Sequence, residues 1–199
     1  NYLTRGSRGK ILNVGISTPW EDLFGRPAVI NLSRITNEKD RALIMSVLML
    51  SLYEYRISAY EYDKAYRKEA QKNRLLHLTV VEEAHNVLMK PHGDYGGSGN
   101  PQQAVADLFT NMLSEIRSYG EGLLIVDQVP TRLIPDVIKN TNYKIVHRLT
   151  APDDCQVMAS SLALREEQKS LITALGIGNA IVCGDMDDAA AWVKMNLRK

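Results

Sequence analysis

Two adjacent glutamates, Glu82 and Glu83, close the apolar run in the stretch RLLHLTVVEEAHN (74–86), and His85 follows two residues later. Like charges at the end of a buried segment are costly unless something there uses them. A carboxylate at a strand tip can hold a hard cation through water, while its neighbour polarises an attacking water. That division of labour belongs to phosphoryl transfer, with Glu82 in the metal role and Glu83 as the base. The plain alternative is a carboxylate pair at a solvated strand end or helix start, where the helix dipole favours negative charge. A second alternative is a carboxylate metal site, because Glu82 and His85 have the Glu-x-x-His spacing of di-iron bundles. It would need a second copy and a helical context, and the sequence offers neither. His77, His92 and His147 lack partners at metal-ligand spacing and read as surface or core residues.

Nucleotide hydrolysis also needs backbone amides and a lysine around the phosphates, in the pattern G-x-x-x-x-G-K-[ST]. The Gly-Lys dipeptide of this chain is Gly9-Lys10. Ile11 stands where a magnesium-binding hydroxyl is required, and Thr4 stands where the first glycine should be. This is a basic linker, not a phosphate loop. The sequence therefore carries the acidic half of a hydrolysis site without the half that cradles phosphate.

The elements that must position these residues follow from pattern. At 199 residues with 45% hydrophobic content, the chain can bury a substantial core and is expected to form one domain. A net charge of +1 supplies no global field toward nucleic acid or anionic lipid, although Lys64, Arg67, Lys68 and Lys72, or Arg5, Arg8 and Lys10, could form local patches. Cys155 and Cys183 read as small buried hydrophobes in a reducing compartment, the cytoplasm. Apolar stretches are expected to stop short of a membrane span, and the N-terminus has no signal-peptide pattern.

PAVINL (27–32) reads as a short buried strand. A long helix is expected to start at Thr36 or Asn37 and run to the region of Asn73, with an apolar early part and a solvated later part. LLHLTVV is the next strand, and the Gly-rich run 89–103 is a loop. Asn100 and Pro101 open a helix that ends at Gly120. Gly122–Gln128 and Tyr143–Leu149 are strands separated by a short helical piece at IPDVIKN. Helices at Asp153–Leu162 and Arg165–Leu175 precede a closing hairpin formed by NAIVCG and AAWVKMN. The alternation predicts an α/β fold with a largely parallel sheet flanked by helices. Ligands of such sheets bind beyond the strands' carboxyl ends, where Glu82 and Glu83 fall.

The order of motifs resembles a known family. TVVEEAHNVL, then EIRSYGEGLLIVDQVPTRLIPDVIKNTNYKIVHRLTAPDD, then GIGNAIVCG look like the C-terminal half of the HerA and FtsK group of DNA-pumping ATPases. RPAVINLS before a long helix is similar to the HerA-like branch, which includes conjugation and type IV secretion ATPases. The resemblance covers roughly residues 19 to 196, with 1–18 as a leader and 19–199 as the C-terminal part of a RecA-like domain. It implies a P-loop NTPase that forms a hexameric ring, uses ATP and Mg2+, and moves double-stranded DNA. A partner nuclease or a membrane secretion complex would work with it. It implies that Glu82 and Glu83 are the Walker B pair, although the first position is often Asp. Gln128 would be the sensor of the terminal phosphate, and Arg117 or Arg148 the arginine offered to a neighbouring subunit's nucleotide. The resemblance also implies a phosphate loop upstream of Asn1, so that this fragment alone would bind nucleotide weakly or not at all. The rival expectation is a RecA-like module that assembles without catalysis.

Overall fold

The computed structural model describes residues 5, 9, 10, 15–72, 74–89 and 101–196, without the side chains of 101–106. Arg8 and the loop His92–Asn100 lie outside the described residues. The chain divides into two compact units, Asn1–Val87 with Ser114–Ile125, and Leu88–Leu113 with Val126–Lys199.

In the first unit, α1 (Trp20–Phe24) precedes α2 (Glu38–Tyr62) and α3 (Lys64–Ala70). Asn37 caps α2 by accepting the amide of Asp40 at 3.2 Å, as its sequence position predicts. The expected single helix breaks at Asp63. Its backbone leaves the helical region, and its carboxylate accepts the amides of Ala65 and Tyr66 at 2.8 and 3.1 Å, so it ends one helix and caps the next. α2 buries one stripe, Asp40, Ile44, Met49, Leu52 and Arg56, while Val47 and Leu50 stay about 40% exposed. The expectation that no apolar stretch reaches membrane length is corrected here. By length and composition α2 could cross a membrane, because its apolar residues run on with few charges among them. In this structure its Arg56 is instead buried against Glu121.

PAVINL does not form a strand. Residues 27–32 have no regular secondary structure and Val29 is 95% exposed, because a strand exists only where an edge pairs with it. β1 (His77–Glu82) pairs with β2 (Glu121–Val126) in a two-stranded parallel sheet. A 3₁₀ turn, Ile116–Tyr119, leads into β2 through Gly120, whose φ of 79° and close approach to the Leu76 side chain exclude a β-carbon.

In the second unit, α4 (Pro101–Glu115) starts at its proline, and its last two residues pass into the first unit. α5 (Pro135–Asn140), α6 (Pro152–Ser161) and α7 (Glu166–Ala174) follow the sequence pattern closely, and prolines open α5 and α6. β3 (Lys144–Val146), β4 (Asn179–Cys183) and β5 (Ala191–Lys194) form an antiparallel sheet in that order, with the expected hairpin as β4–β5. Its core is Val146, Cys155, Ala159, Leu162, Ile172, Leu175 and Ile181. Burial pushes the Cys155 thiol's pKa up, which keeps it inert.

Candidate functional site

Alternation along β1 decides what its tip presents. Val81 is buried and Glu82, the last strand residue, is exposed. The chain then turns sharply, with Glu83 in the left-handed region at φ 51°, ψ 47°. An L-residue is held there at a cost of roughly 1–2 kcal/mol. The turn is locked by Asn86, whose backbone amide and side-chain Nδ2 donate to the Glu83 carbonyl at 3.0 and 2.8 Å. It is anchored by Ala84, which is fully buried. Side chains therefore leave the strand end in two directions, a strand-like one at Glu82 and a turn-like one at Glu83.

Glu83 Oε2 lies 3.5 Å from His85 Nδ1, with the imidazole mostly buried and the carboxylate half exposed. The Glu82/His85 spacing is not realised as a helical metal motif. His85 sits in the 3₁₀ turn Ala84–Asn86 beside Glu83, and the described residues contain no cluster of three or more metal-ligating side chains. The His85 contact was not anticipated from sequence, where the offset of two residues reads as unremarkable. A magnesium ion keeps most of its waters and takes one or two carboxylates, so the exposed Glu82 oxygens fit a water-bridged role.

Arg117 lies in the 3₁₀ turn before β2, exposed, and its side chain makes no ion pair or hydrogen bond among the described residues. The amides of Leu76 and His77 donate to the Gly120 carbonyl, which places the start of β1 beside the start of β2. Arg117 therefore stands at the opening end of the strand pair, and the glutamates stand at the closing end, six strand residues away. A strand of that length spans about 17–20 Å, far beyond the reach of an arginine.

Gln128 and Arg148 belong to the second unit. Gln128 is exposed, two residues past β2, where Asp127 accepts the Val129 amide at 2.9 Å and bends the chain. Arg148 is exposed after β3 and, like Arg117, has no side-chain partner among the described residues.

One charged centre escaped the sequence pattern. Glu121, at the start of β2, is 1% exposed. Its carboxylate accepts Arg56 Nε at 2.6 Å and Thr79 Oγ1 at 2.7 Å, and lies 2.9 Å from His77 Nδ1. Arg56 Nη2 also donates to the Phe24 carbonyl at 2.7 Å. Nearby, the Tyr66 hydroxyl donates to the Tyr119 carbonyl at 2.7 Å, and burial raises its pKa. Tyr53 donates to Glu115 at 2.6 Å, and that bond holds its pKa well above the usual tyrosine range.

No protein-family model matches the chain. It is 27% identical over 199 residues to a probable DNA double-strand break repair helicase HerA of Methanocaldococcus jannaschii, covering 93% of this chain and 39% of that protein. It is 25% identical over 191 residues to the DNA double-strand break repair helicase HerA of Pyrococcus furiosus, covering 86% of this chain and 33% of that one. Among solved structures, the genome packaging NTPase B204 of Sulfolobus turreted icosahedral virus 2 in complex with AMPPCP superposes with a TM-score of 0.55 at 15% identity, over 91% of this chain and 74% of that one. VirB4 of Thermoanaerobacter pseudethanolicus gives a TM-score of 0.56 at 17% identity, over 85% and 41%. The chain spans about two fifths or less of the length of these curated relatives. The chain shares an α/β fold with these solved structures, and over nearly its whole length its sequence is similar to the HerA relatives.

Proposed function

We propose that this chain is the part of a HerA-like ring ATPase that supplies the acidic end of the hydrolysis site, coupling ATP hydrolysis to translocation of double-stranded DNA. The observation that carries the reading is the strand tip, where two carboxylates leave β1 in different directions through a strained, locked turn. Left-handed backbone at a glutamate persists only where surrounding contacts enforce it, and such strain concentrates at functional sites.

In this reading Glu83 accepts the proton of the attacking water, and His85 orients its carboxylate from 3.5 Å. Glu82 orients the waters of a bound Mg2+, which when present supplies charge neutralisation at the phosphates. These two residues correspond to a Walker B pair, and Gln128 senses the terminal phosphate. Gly9-Lys10 lacks the spacing of a phosphate loop, and in this reading such a loop elsewhere in the full-length protein holds ATP. Arg117 stands too far from its own glutamates to serve them. It is therefore offered to the nucleotide of another copy, which calls for a ring, a hexamer by the resemblance, in the cytoplasm with DNA. Arg148 is the second candidate for that task. A partner nuclease or a secretion complex would define the biological setting.

The test is ATP turnover by a polypeptide that joins this chain to a phosphate loop, measured with and without duplex DNA. DNA-stimulated hydrolysis that falls by about 10³ or more in Arg117→Ala, and returns when that variant is mixed with Glu83→Gln subunits, is the expected result. Absence of hydrolysis in the parent would leave the rival reading, a RecA-like module used for assembly.

A further inference from the structure

The second unit carries a hollow that the strand-tip site does not use. It measures about 170 Å³ and is lined by His147 and Arg148, which follow β3, and by the turn Leu175–Asn179 before β4. We propose that this hollow binds a phosphate ester. The inference stands on the second unit alone and does not require Glu82 or Glu83 to act in hydrolysis.

Charge comes first. No acidic side chain lines the hollow, and the Arg148 guanidinium has no ion pair or hydrogen bond among the described residues. An unpaired guanidinium presents donors in a planar fork that matches phosphate oxygens. The imidazole of His147 is fixed beside it, because Nδ1 lies 3.1 Å from the Asn179 carbonyl and must donate to it. That tether leaves Nε2 as the free ring nitrogen.

The turn adds backbone donors. It is closed by the Asn179 amide donating to the Gly176 carbonyl at 3.1 Å, with Gly178 at a φ of 77°. The amides of Ile177 and Gly178 donate to no protein acceptor among the described residues. Successive amides around a left-handed glycine form a concavity that favours anions. Leu175 is 1% exposed and Ile177 is 95% exposed, so the same turn provides an apolar floor and an apolar rim. A cation, a tethered imidazole, free amides and an apolar wall together suit a phosphate attached to a sugar, not a bare inorganic anion. Such a group comes either from a nucleotide or from a nucleic-acid backbone.

The experiment follows backbone amide and arginine side-chain resonances of the 199-residue chain at fixed low ionic strength, titrated separately with ATP and with a short DNA duplex. Saturable shifts centred on Ile177, Gly178 and Arg148 are expected with at least one probe. Shifts with ATP assign a nucleotide phosphate, and shifts with the duplex alone assign the backbone phosphate. Arg148→Gln is expected to weaken binding about tenfold or more, with Arg148→Lys intermediate, while Arg26→Gln in the other unit leaves it unchanged. Arg148 is exposed, and the spectrum of each variant reports directly whether its fold is kept. The proposal is overturned if neither probe shifts the turn, or if Arg148→Gln binds as tightly as the unaltered chain.

Discussion

The β1–β2 pair keeps charge at both ends and treats it in opposite ways. At the opening end, Glu121 is buried and its carboxylate is met by donors from Arg56, Thr79 and His77. At the closing end, Glu82 is exposed, and Glu83 sits in left-handed backbone with its carboxylate half exposed, 3.5 Å from His85. A carboxylate enclosed by fixed donors is committed to the fold, because removing either partner leaves a buried charge uncompensated. An exposed carboxylate such as Glu82 contributes little to stability and can meet a ligand from solvent. The same residue type is thus buried among donors at one end and, at Glu82, turned to solvent at the other.

That contrast can be broken most forcefully at the opening end. Glu121→Ala or Arg56→Ala is expected to destabilise the chain by about 3–5 kcal/mol in denaturant melts, and the double change Arg56→Met with Glu121→Leu to recover much of the loss. A small effect of either single change would mean that the buried pair is not what holds α2 on β2. The closing end should behave oppositely, with Glu82→Gln and Glu83→Gln shifting stability by no more than about 0.5 kcal/mol. Glu83→Gly should be neutral or stabilising by up to about 1 kcal/mol, since glycine relieves the left-handed backbone.

The tyrosines beside the buried centre give the contrast a pH signature. Tyr53 and Tyr66 both have raised pKa values, the first chiefly through its bond to Glu115 and the second chiefly through burial. A raised pKa means the folded chain holds the proton more tightly than the unfolded chain does. Their contribution is complete below the ordinary tyrosine value of 10.0 and is lost as pH rises beyond it. Melts from pH 8 to 12 should therefore show stability falling above about pH 10, and Tyr53→Phe with Tyr66→Phe should flatten that fall.

Local signals made much of this fold legible in the sequence. Asn37 and Pro101 mark helix starts that the structure keeps, and Gly120 marks a stop that only its positive φ allows. The position of the strand tip was legible too, because the apolar run stops at the paired acids and β1 ends at Glu82. The misses are non-local. PAVINL has strand chemistry, but no neighbouring edge among the described residues pairs with it. The burial of Glu121 depends on Arg56, 65 residues earlier, and charged residues are read as exposed until a partner is seen. Asp63 was hidden for the opposite reason, since good helix formers on both sides of it mask a cap.

The central claim is that the strand-tip carboxylates do chemistry and not folding. Its most direct test is single-turnover ATP hydrolysis by a polypeptide joining this chain to a phosphate loop, comparing the unaltered protein with Glu83→Gln while nucleotide binding is measured on the same samples. The account predicts retained binding and a hydrolysis rate lowered by about 10²–10⁴. A Glu83→Gln rate within about twofold of the unaltered protein, far inside that range, would contradict it.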